Sequence, residues 1–207
     1  WGRRLPGLQD TIARYRPDLI GLQEPTSPLS VAAIMGDLLR EYGLTYHVAG
    51  LLTFPDATIL YRKSRFELIE TDQFWLGVLP CHTSLEGWNV SMLRCVNWAR
   101  LRERDTGFEF LFVCTHFDAD RENREQSAHV VTEWLAPVAD DLPIIMVGDF
   151  NSKGDTEAYA TLQGGNGAPM RFENAFDYAR ERTVAHNDQA DKDITEDDDY
   201  LSVPGKI

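Results

Sequence analysis

Residues 94–115 restrict the possible folds of this chain more than any other segment, because they carry the pattern of a β-hairpin. Polar and apolar side chains alternate over 94–103, and 108–115 is a strongly apolar run. The tripeptide Asp105-Thr106-Gly107 between them is a turn signal. A hairpin requires antiparallel pairing, so this prediction disfavours a purely parallel sheet of the Rossmann type.

The other predicted elements mix strands and helices without strict alternation. Helices are predicted over 7–15, 28–41, 121–136 and near 155–162, with Gly43 stopping the second and Pro137 ending or bending the third. Strands are predicted over 18–23, 44–50, 57–62, 66–75 and 142–148. This mixture favours a layered α+β fold, with two sheets packed face to face and helices outside. The length of 207 residues predicts a single domain.

Composition narrows the class of partner. The net charge is −13, with a dense acidic stretch at 188–199, so a long nucleic acid is a poor partner unless cations intervene. No apolar run is long enough for a transmembrane segment. The three cysteines are too sparse for a disulfide framework, which favours a reducing compartment and a cytoplasmic location.

Three of the predicted buried strands end in polar residues. The first ends at Gln23-Glu24, the second at Thr115-His116 and the third at Gly148-Asp149-Phe150-Asn151. If these strands point the same way, their ends bring carboxylates, an imidazole and an amide to one rim of the sheets. Asp149 and Asn151 are two positions apart and would face the same side of an extended chain, with Phe150 in the core.

Each of these residue types has a use in splitting a phosphate ester. Glu24 suits a hard divalent ion such as magnesium, which takes one or two carboxylates and keeps several waters. Asp149 can orient or deprotonate an attacking water, and Asn151 can donate a hydrogen bond to charge that builds on the phosphoryl group. His116 can contact the phosphate or protonate the leaving oxygen. Taken singly, each residue also fits a solvated strand end, a core histidine or a simple turn.

The same segments carry a resemblance to a known family. Asp18-Leu19-Ile20-Gly21-Leu22-Gln23-Glu24, then Thr115-His116-Phe117-Asp118, then Gly148-Asp149-Phe150-Asn151-Ser152 resemble the ordered signature of the endonuclease/exonuclease/phosphatase superfamily, the DNase I-like proteins. Phe74-Trp75-Leu76, Trp88 and Arg94 with Trp98-Ala99-Arg100-Leu101 are similar to its bacterial branch of uncharacterised hydrolases.

The resemblance implies a four-layer α/β-sandwich and phosphoester hydrolysis that depends on magnesium or manganese. It assigns Glu24 to the metal, His116, Asp149 and Asn151 to catalysis, and Asn151 and Arg94 to the substrate phosphate. A cross-strand ion pair is the alternative for Arg94. Asp56 stands where relatives tend to have glutamate, and is either a second acid or a loop residue.

Relatives also have a first strand before the segment that begins here at Trp1, and a last strand after Ile207. We therefore expect residues 1–207 to be one domain of this family that lacks those two strands, within a longer protein.

The sequence thus predicts a phosphodiesterase, phosphomonoesterase or nuclease with water as the nucleophile. A small or lipid-linked phosphate ester is favoured as substrate over a long nucleic acid, and no protein partner is predicted. One alternative is a non-catalytic homologue of the same fold that binds a phosphate ligand. Another is a two-carboxylate glycosidase using Glu24 and Asp149, which leaves His116 and Asn151 without a role.

Overall fold

The computed structural model describes residues 2–49, 52–81 and 93–178. These residues divide into two compact units, one within residues 18–172 and a smaller one of residues 2–17 with 173–178. The acidic stretch at 188–199 and Trp88 lie outside the described residues.

Helices and strands are interspersed along the chain. The helices are α1 (Leu5–Tyr15), α2 (Pro28–Met35), α3 (Arg121–Ala139), α4 (Glu157–Leu162) and α5 (Ala175–Tyr178), with a 3-10 helix over Gly36–Glu41. The strands are β1 (Leu19–Leu22), β2 (Tyr42–Ala49), β3 (Leu52–Arg62), β4 (Phe66–Trp75), β5 (Cys95–Glu103), β6 (Glu109–His116) and β7 (Ile144–Asp149).

The larger unit contains two sheets. One has the strand order β1-β3-β2 and is antiparallel throughout, and the other has the order β4-β5-β6-β7. β5 and β6 form the predicted hairpin, with Val96 opposite Thr115 and Arg102 opposite Glu109. β6 and β7 are parallel, and α3 provides the helical connection that parallel neighbours require.

Two apolar clusters cover the two faces of the four-stranded sheet. Between the sheets lie side chains of β3, β4, β5 and β6, including Ile59, Trp75 and Leu101. On the opposite face, side chains of the sheet pack against α3 and α4, with Val131 and Leu135 of α3 fully buried. The predicted arrangement of two packed sheets flanked by helices is therefore confirmed.

Several predicted boundaries were wrong. Gly43 does not stop a helix but lies within β2, where a Cβ atom would collide with the ring of Tyr61. The helix predicted over 28–41 is α-helical only to Met35 and then tightens into the 3-10 turn. Pro137 lies inside α3, and the helix continues to Ala139 although proline supplies no N–H for a helical hydrogen bond.

The smaller unit contains α1 and α5. α1 has a proline, Pro6, in its first turn, as helix starts favour, and ends at Arg16 in the left-handed conformation. Ile12 is its buried residue, and α5 is a single turn.

Candidate active site

The ends of β1, β6 and β7 meet at one pocket of about 340 Å³. Seven residues line it: Gln23, Glu24, Arg94, His116, Ala119, Asp149 and Asn151. All five residues that the sequence assigned to metal, catalysis or substrate are in this set. The three strand ends therefore lie together, as the hypothesis requires. Their chemical roles stay predictions.

The parallel pairing of β6 and β7 fixes two of these side chains beside each other. His116 and Asp149 are register partners at the ends of the two strands, and Nε2 of His116 lies 3.8 Å from Oδ2 of Asp149. The preceding residue, Gly148, allows this close approach, because a Cβ there would collide with the carbonyl oxygen of Thr115.

A second glycine brings β1 close to the other sheet. A Cβ atom on Gly21 would lie 2.5 Å from Cγ2 of Val147 and 2.8 Å from Sγ of Cys114. The missing side chain therefore lets the strand that carries Glu24 pack tightly on β6 and β7. Glu24 itself follows the strand in the left-handed conformation, with φ of 58°.

Asp56 lies beneath the pocket, and an irregularity in β3 puts it there. The pairing of β2 with β3 shifts between Thr45–Ile59 and His47–Phe54, so β3 bulges from its ladder with β2 over residues 55–58, although Thr58 stays paired with Leu22 of β1. Within the bulge, Ala57 has a φ of 56°, which is rare for a residue with a side chain. Asn97 of β5 holds this segment by donating from Nδ2 to the carbonyl oxygens of Asp56, at 3.3 Å, and Ala57, at 2.8 Å.

The carboxylate of Asp56 is buried and accepts several hydrogen bonds. Its Oδ1 accepts from the backbone N–H groups of Glu24, at 2.8 Å, and Ala57, at 3.0 Å. Its Oδ2 lies 3.2 Å from Nη1 of Arg94. Burial alone would raise the pKa of Asp56, but the contacts with His116 and the Glu24 N–H, together with the charge of Arg94, outweigh it and hold the pKa below its ordinary value.

His116 is 3% exposed, and its two ring nitrogens face different surroundings. Nδ1 lies 2.6 Å from Nη1 of Arg94 and within 3.3 Å of both carboxylate oxygens of Asp56. Nε2 faces the carboxylates of Glu24, at 4.0 Å, and Asp149, at 3.8 Å. Arg94 and Asp56 therefore fix the Nδ1 side of the ring, and Nε2 faces the carboxylates of the pocket.

Arg94 is also nearly buried, with a side chain that is 10% exposed. Its Nη1 is shared among Asp56, His116 and Glu24, the last at 3.9 Å. Arg94 does form an ion pair, but its partner Asp56 belongs to β3 of the other sheet, so the pair connects the two sheets and not neighbouring strands. The guanidinium nevertheless lines the pocket, so an ion pair and a contact with a bound phosphate are compatible.

The Asp149–Asn151 segment closes the other side of the pocket. Oδ1 of Asp149 accepts from the backbone N–H of Asn151 at 2.9 Å, a local turn typical of aspartate. β7 ends at Asp149, and Asn151 has a φ of 47°, so the segment is not the extended chain that was assumed. Both side chains still line the pocket, and Phe150 packs edge-to-face on Phe117 at 5.3 Å.

Two residues of the site would not have been chosen from the sequence. Asp56 was left open between an acid and a loop residue, and the bulge that aims it at His116 depends on contacts distant in sequence. Asn97 lies on the face of β5 that also carries Cys95, Ala99 and Leu101. A polar amide among apolar neighbours on that face was the available signal.

Comparison with known proteins agrees with this architecture. A crystal structure of an endonuclease/exonuclease/phosphatase from Bacteroides vulgatus superposes with a TM-score of 0.68 at 26% identity, over 80% of this chain and 64% of that one. A mannosyl-6-phosphatase of Bacteroides thetaiotaomicron superposes with a TM-score of 0.69 at 28% identity, over 78% of this chain and 61% of that one. The fold is therefore the DNase I-like sandwich.

Sequence comparison gives the family. Residues 1–191 match the Endonuclease/Exonuclease/phosphatase family, and this chain belongs to it. Nocturnin of Drosophila melanogaster is 32% identical over 176 residues, which is 79% of this chain and 26% of that protein. The chain thus spans about a quarter of the length of this relative and less than two thirds of the length of the two solved Bacteroides chains.

The sequence also led to expectations about membrane-spanning segments and about cysteine pairing. Among the residues that the structure describes, every helix is too short or too polar to cross a membrane. Cys81, Cys95 and Cys114 are free thiols, and burial raises the pKa of Cys114 to about 12. The cytoplasmic location stays a prediction.

Proposed function

We propose that this protein is a divalent-metal-dependent phosphoester hydrolase that uses water as its nucleophile. The observation that carries the proposal is the convergence of Glu24, His116, Asp149 and Asn151, from three separate strand ends, on one pocket with Arg94. This set combines open carboxylates, a nearly buried imidazole and two nitrogen donors. It is the set that a water attack on phosphorus needs.

The donor chemistry fits magnesium or manganese held through few protein ligands. Within residues 2–49, 52–81 and 93–178, no three His, Cys, Asp or Glu side chains are grouped closely enough to cage an ion. Magnesium does not require a cage, because it commonly binds one or two carboxylates and keeps its waters. Glu24, whose side chain is 65% exposed, is the carboxylate free to hold it, whereas Asp56 is buried and its oxygens are already engaged.

A metal bound at Glu24 would supply polarisation of the phosphoryl oxygen. The chain's own residues supply the rest of the chemistry. Asp149 orients the attacking water and accepts its proton. Nδ2 of Asn151 uses one hydrogen on the carbonyl of Phe117, at 2.9 Å, and has a second hydrogen for a phosphoryl oxygen. His116 contacts the phosphate or protonates the leaving oxygen, and Arg94 places positive charge beside the phosphate.

A small or lipid-linked phosphate ester is the substrate class that we propose. The net charge of −13 opposes a long polyanion, and one arginine in a pocket of about 340 Å³ is sufficient for a single phosphate group. The similarity to a mannosyl-6-phosphatase makes sugar phosphates the first compounds to test.

A screen for released phosphate or alcohol tests the proposal. The longest product of the gene is purified and incubated with mannose 6-phosphate, other phosphomonoesters and diesters, nucleotides and sphingomyelin, with magnesium, with manganese or with EDTA. We expect hydrolysis of at least one ester that EDTA abolishes. Absence of hydrolysis of every ester under all metal conditions would contradict the proposal.

Glu24→Gln tests the proposed metal ligand. The metal concentration for half-maximal activity should rise about tenfold or more, since losing even an outer partner of a metal site costs that much. Glu133→Gln on the exposed face of α3 is the matched control and should behave as wild type. An unchanged metal requirement in Glu24→Gln would remove this residue from the metal site.

One observation favours the alternative of a non-catalytic homologue that binds a phosphate ligand. Nη1 of Arg94 lies 3.9 Å from Oε1 of Glu24, so a cation at that carboxylate has a positive neighbour. Calorimetric titration with orthovanadate separates the two functions. Binding without metal, combined with no hydrolysis, would support the binding homologue.

A further inference from the structure

Asn97 is a buried polar side chain to which the proposed mechanism gives no role. It is 1% exposed and lies on the face of β5 that packs between the two sheets. An amide in such a place is costly unless its N–H groups are bonded. Nδ2 of Asn97 donates to two successive carbonyl oxygens of β3, those of Asp56, at 3.3 Å, and Ala57, at 2.8 Å. The side chain therefore binds the backbone of the other sheet.

Ala57 lies between these two carbonyl groups in a conformation that a regular strand does not use. Successive carbonyl groups of an extended strand point in opposite directions, so one nitrogen would not bond both. Here Ala57 has a φ of 56°, in the left-handed region, and both carbonyl oxygens accept from Asn97. This region is unfavourable for alanine, because its Cβ atom comes close to the following carbonyl oxygen. The two hydrogen bonds from Asn97 offset that cost.

The same backbone segment carries the carboxylate of Asp56 to the base of the pocket. Oδ1 accepts from the backbone N–H groups of Glu24, at 2.8 Å, and Ala57, at 3.0 Å. Oδ2 lies 3.2 Å both from Nη1 of Arg94 and from Nδ1 of His116. An aspartate side chain is short, so all four contacts depend on where its backbone lies. A return of Ala57 to the extended conformation would move that backbone.

We propose that Asn97 is a positioning residue, which holds Ala57 in the left-handed conformation and thereby keeps Asp56 at the base of the pocket. Asn97 is not among the residues that line the pocket, so it acts through Asp56. The catalytic part of this inference rests on the proposed function, because Asp56 affects turnover through the placement of His116 and Glu24.

Hydrogen exchange at the backbone amide of Glu24 tests the placement of Asp56 without substrate. This N–H donates to Asp56, so NMR of the full-length protein reports whether the carboxylate is in place. Asn97→Leu keeps a branched side chain but cannot donate. Exchange at Glu24 should rise about tenfold, the factor that corresponds to one lost hydrogen bond. The amide of Phe108, which donates to Oγ1 of Thr106 in the distant hairpin turn, is the control and should exchange as in wild type.

Unchanged exchange at Glu24 in a folded Asn97→Leu variant would overturn the proposal. If that variant does not fold, Asn97→Thr takes its place with the same expectations. Threonine suits a strand, and its single O–H can donate to only one of the two carbonyl oxygens.

A second substitution separates positioning from a simple loss of stability. Glycine adopts the left-handed conformation readily, so Ala57→Gly in the Asn97→Leu background should restore slow exchange at Glu24. Ala99→Gly is the matched control. Ala99 is fully buried in the same apolar cluster but lies in regular pairing, so glycine there loses an equally buried methyl group and should restore nothing. Rescue by both substitutions, or by neither, would overturn the proposal.

Turnover provides the catalytic readout. The kcat of Asn97→Leu on the best ester from the screen should fall about 10²-fold, the cost of misplacing a catalytic group by about 1 Å. Ala57→Gly should recover most of that loss. Wild-type kcat despite faster exchange at Glu24 would overturn the catalytic role of Asn97. Failure to find any hydrolysis would count against the proposed function, while exchange at Glu24 would still decide whether Asn97 positions Asp56.

Discussion

Asp56 is the residue on which the geometry of the pocket most depends. It joins the backbone after β1 to the ends of β5 and β6, since its carboxylate contacts the Glu24 N–H, Arg94 and His116. A buried charge of this kind is stable only while its partners remain. The residue thus couples the position of Glu24 to the orientation of the histidine.

Replacement of Asp56 should therefore be costly. Asp56→Ala removes the nearer acid of the nearly buried Arg94 and leaves it only Glu24, at 3.9 Å. Breaking a buried ion pair typically costs about 3–5 kcal/mol in the free energy of unfolding. Urea unfolding measures this loss. Asp72→Asn, an exposed acid on β4, is the control and should stay within about 0.5 kcal/mol of wild type. A cost for Asp56→Ala as small as that of the control would show that the buried network is dispensable.

At the scale of single elements, the strands carry the site because two glycines let them approach closely. Gly148 would collide with backbone and Gly21 with side chains if either had a Cβ atom. Backbone cannot move aside as a side chain can. The spacing between strand ends, and with it the pocket, is therefore set by these two positions.

Gly148→Ala should destabilise the protein more than Gly21→Ala. Overpacking typically costs about 1–3 kcal/mol, and we expect Gly148→Ala at or above the upper end of that range. Thermal and urea unfolding measure both variants. Gly154→Ala, where a Cβ would meet nothing within 4 Å, is the control and should have little effect. Equal stability of Gly148→Ala and Gly154→Ala would contradict this account of the strand packing.

The elements also show what a sequence can and cannot predict here. The hairpin β5–β6 was predictable because alternation and a turn signal are local, and the strand-end residues were predictable because each follows an apolar run directly. The bulge at Asp56 was not, since it depends on pairing with β2 and on Asn97 of a distant strand. Gly43 was misassigned because a glycine that admits a cross-strand ring resembles a helix stop in sequence.

At the scale of the larger unit, charged residues connect the two sheets away from the pocket. Arg65, in the turn between β3 and β4, pairs with Asp18 before β1 and with Glu103 of β5, the latter at 3.1 Å. Hydrogen bonds from Thr106 and Arg65 hold the pKa of Glu103 below its ordinary value of 4.5. This connection is therefore sensitive to acid.

The pH dependence of stability follows from the sign of that shift. A carboxyl whose pKa is lower in the folded state stabilises the protein above its unfolded pKa, and this contribution is lost as pH falls through the folded pKa. Glu103→Gln should therefore lose less stability than wild type between pH 7 and pH 3, as measured by urea unfolding. Glu133→Gln is the control. Parallel stability curves for wild type and Glu103→Gln would exclude Glu103 as a source of acid sensitivity.

The central claim is that the ends of β1, β6 and β7 form one catalytic centre for phosphoester hydrolysis. The turnover of Asp149→Asn tests it most directly, on the best ester found by screening, beside Asp105→Asn in the exposed hairpin turn as a control. General base catalysis is worth about 10²–10⁴-fold, so kcat should fall by that factor while the unfolding curve stays unchanged. Wild-type turnover in a folded Asp149→Asn variant would contradict the claim.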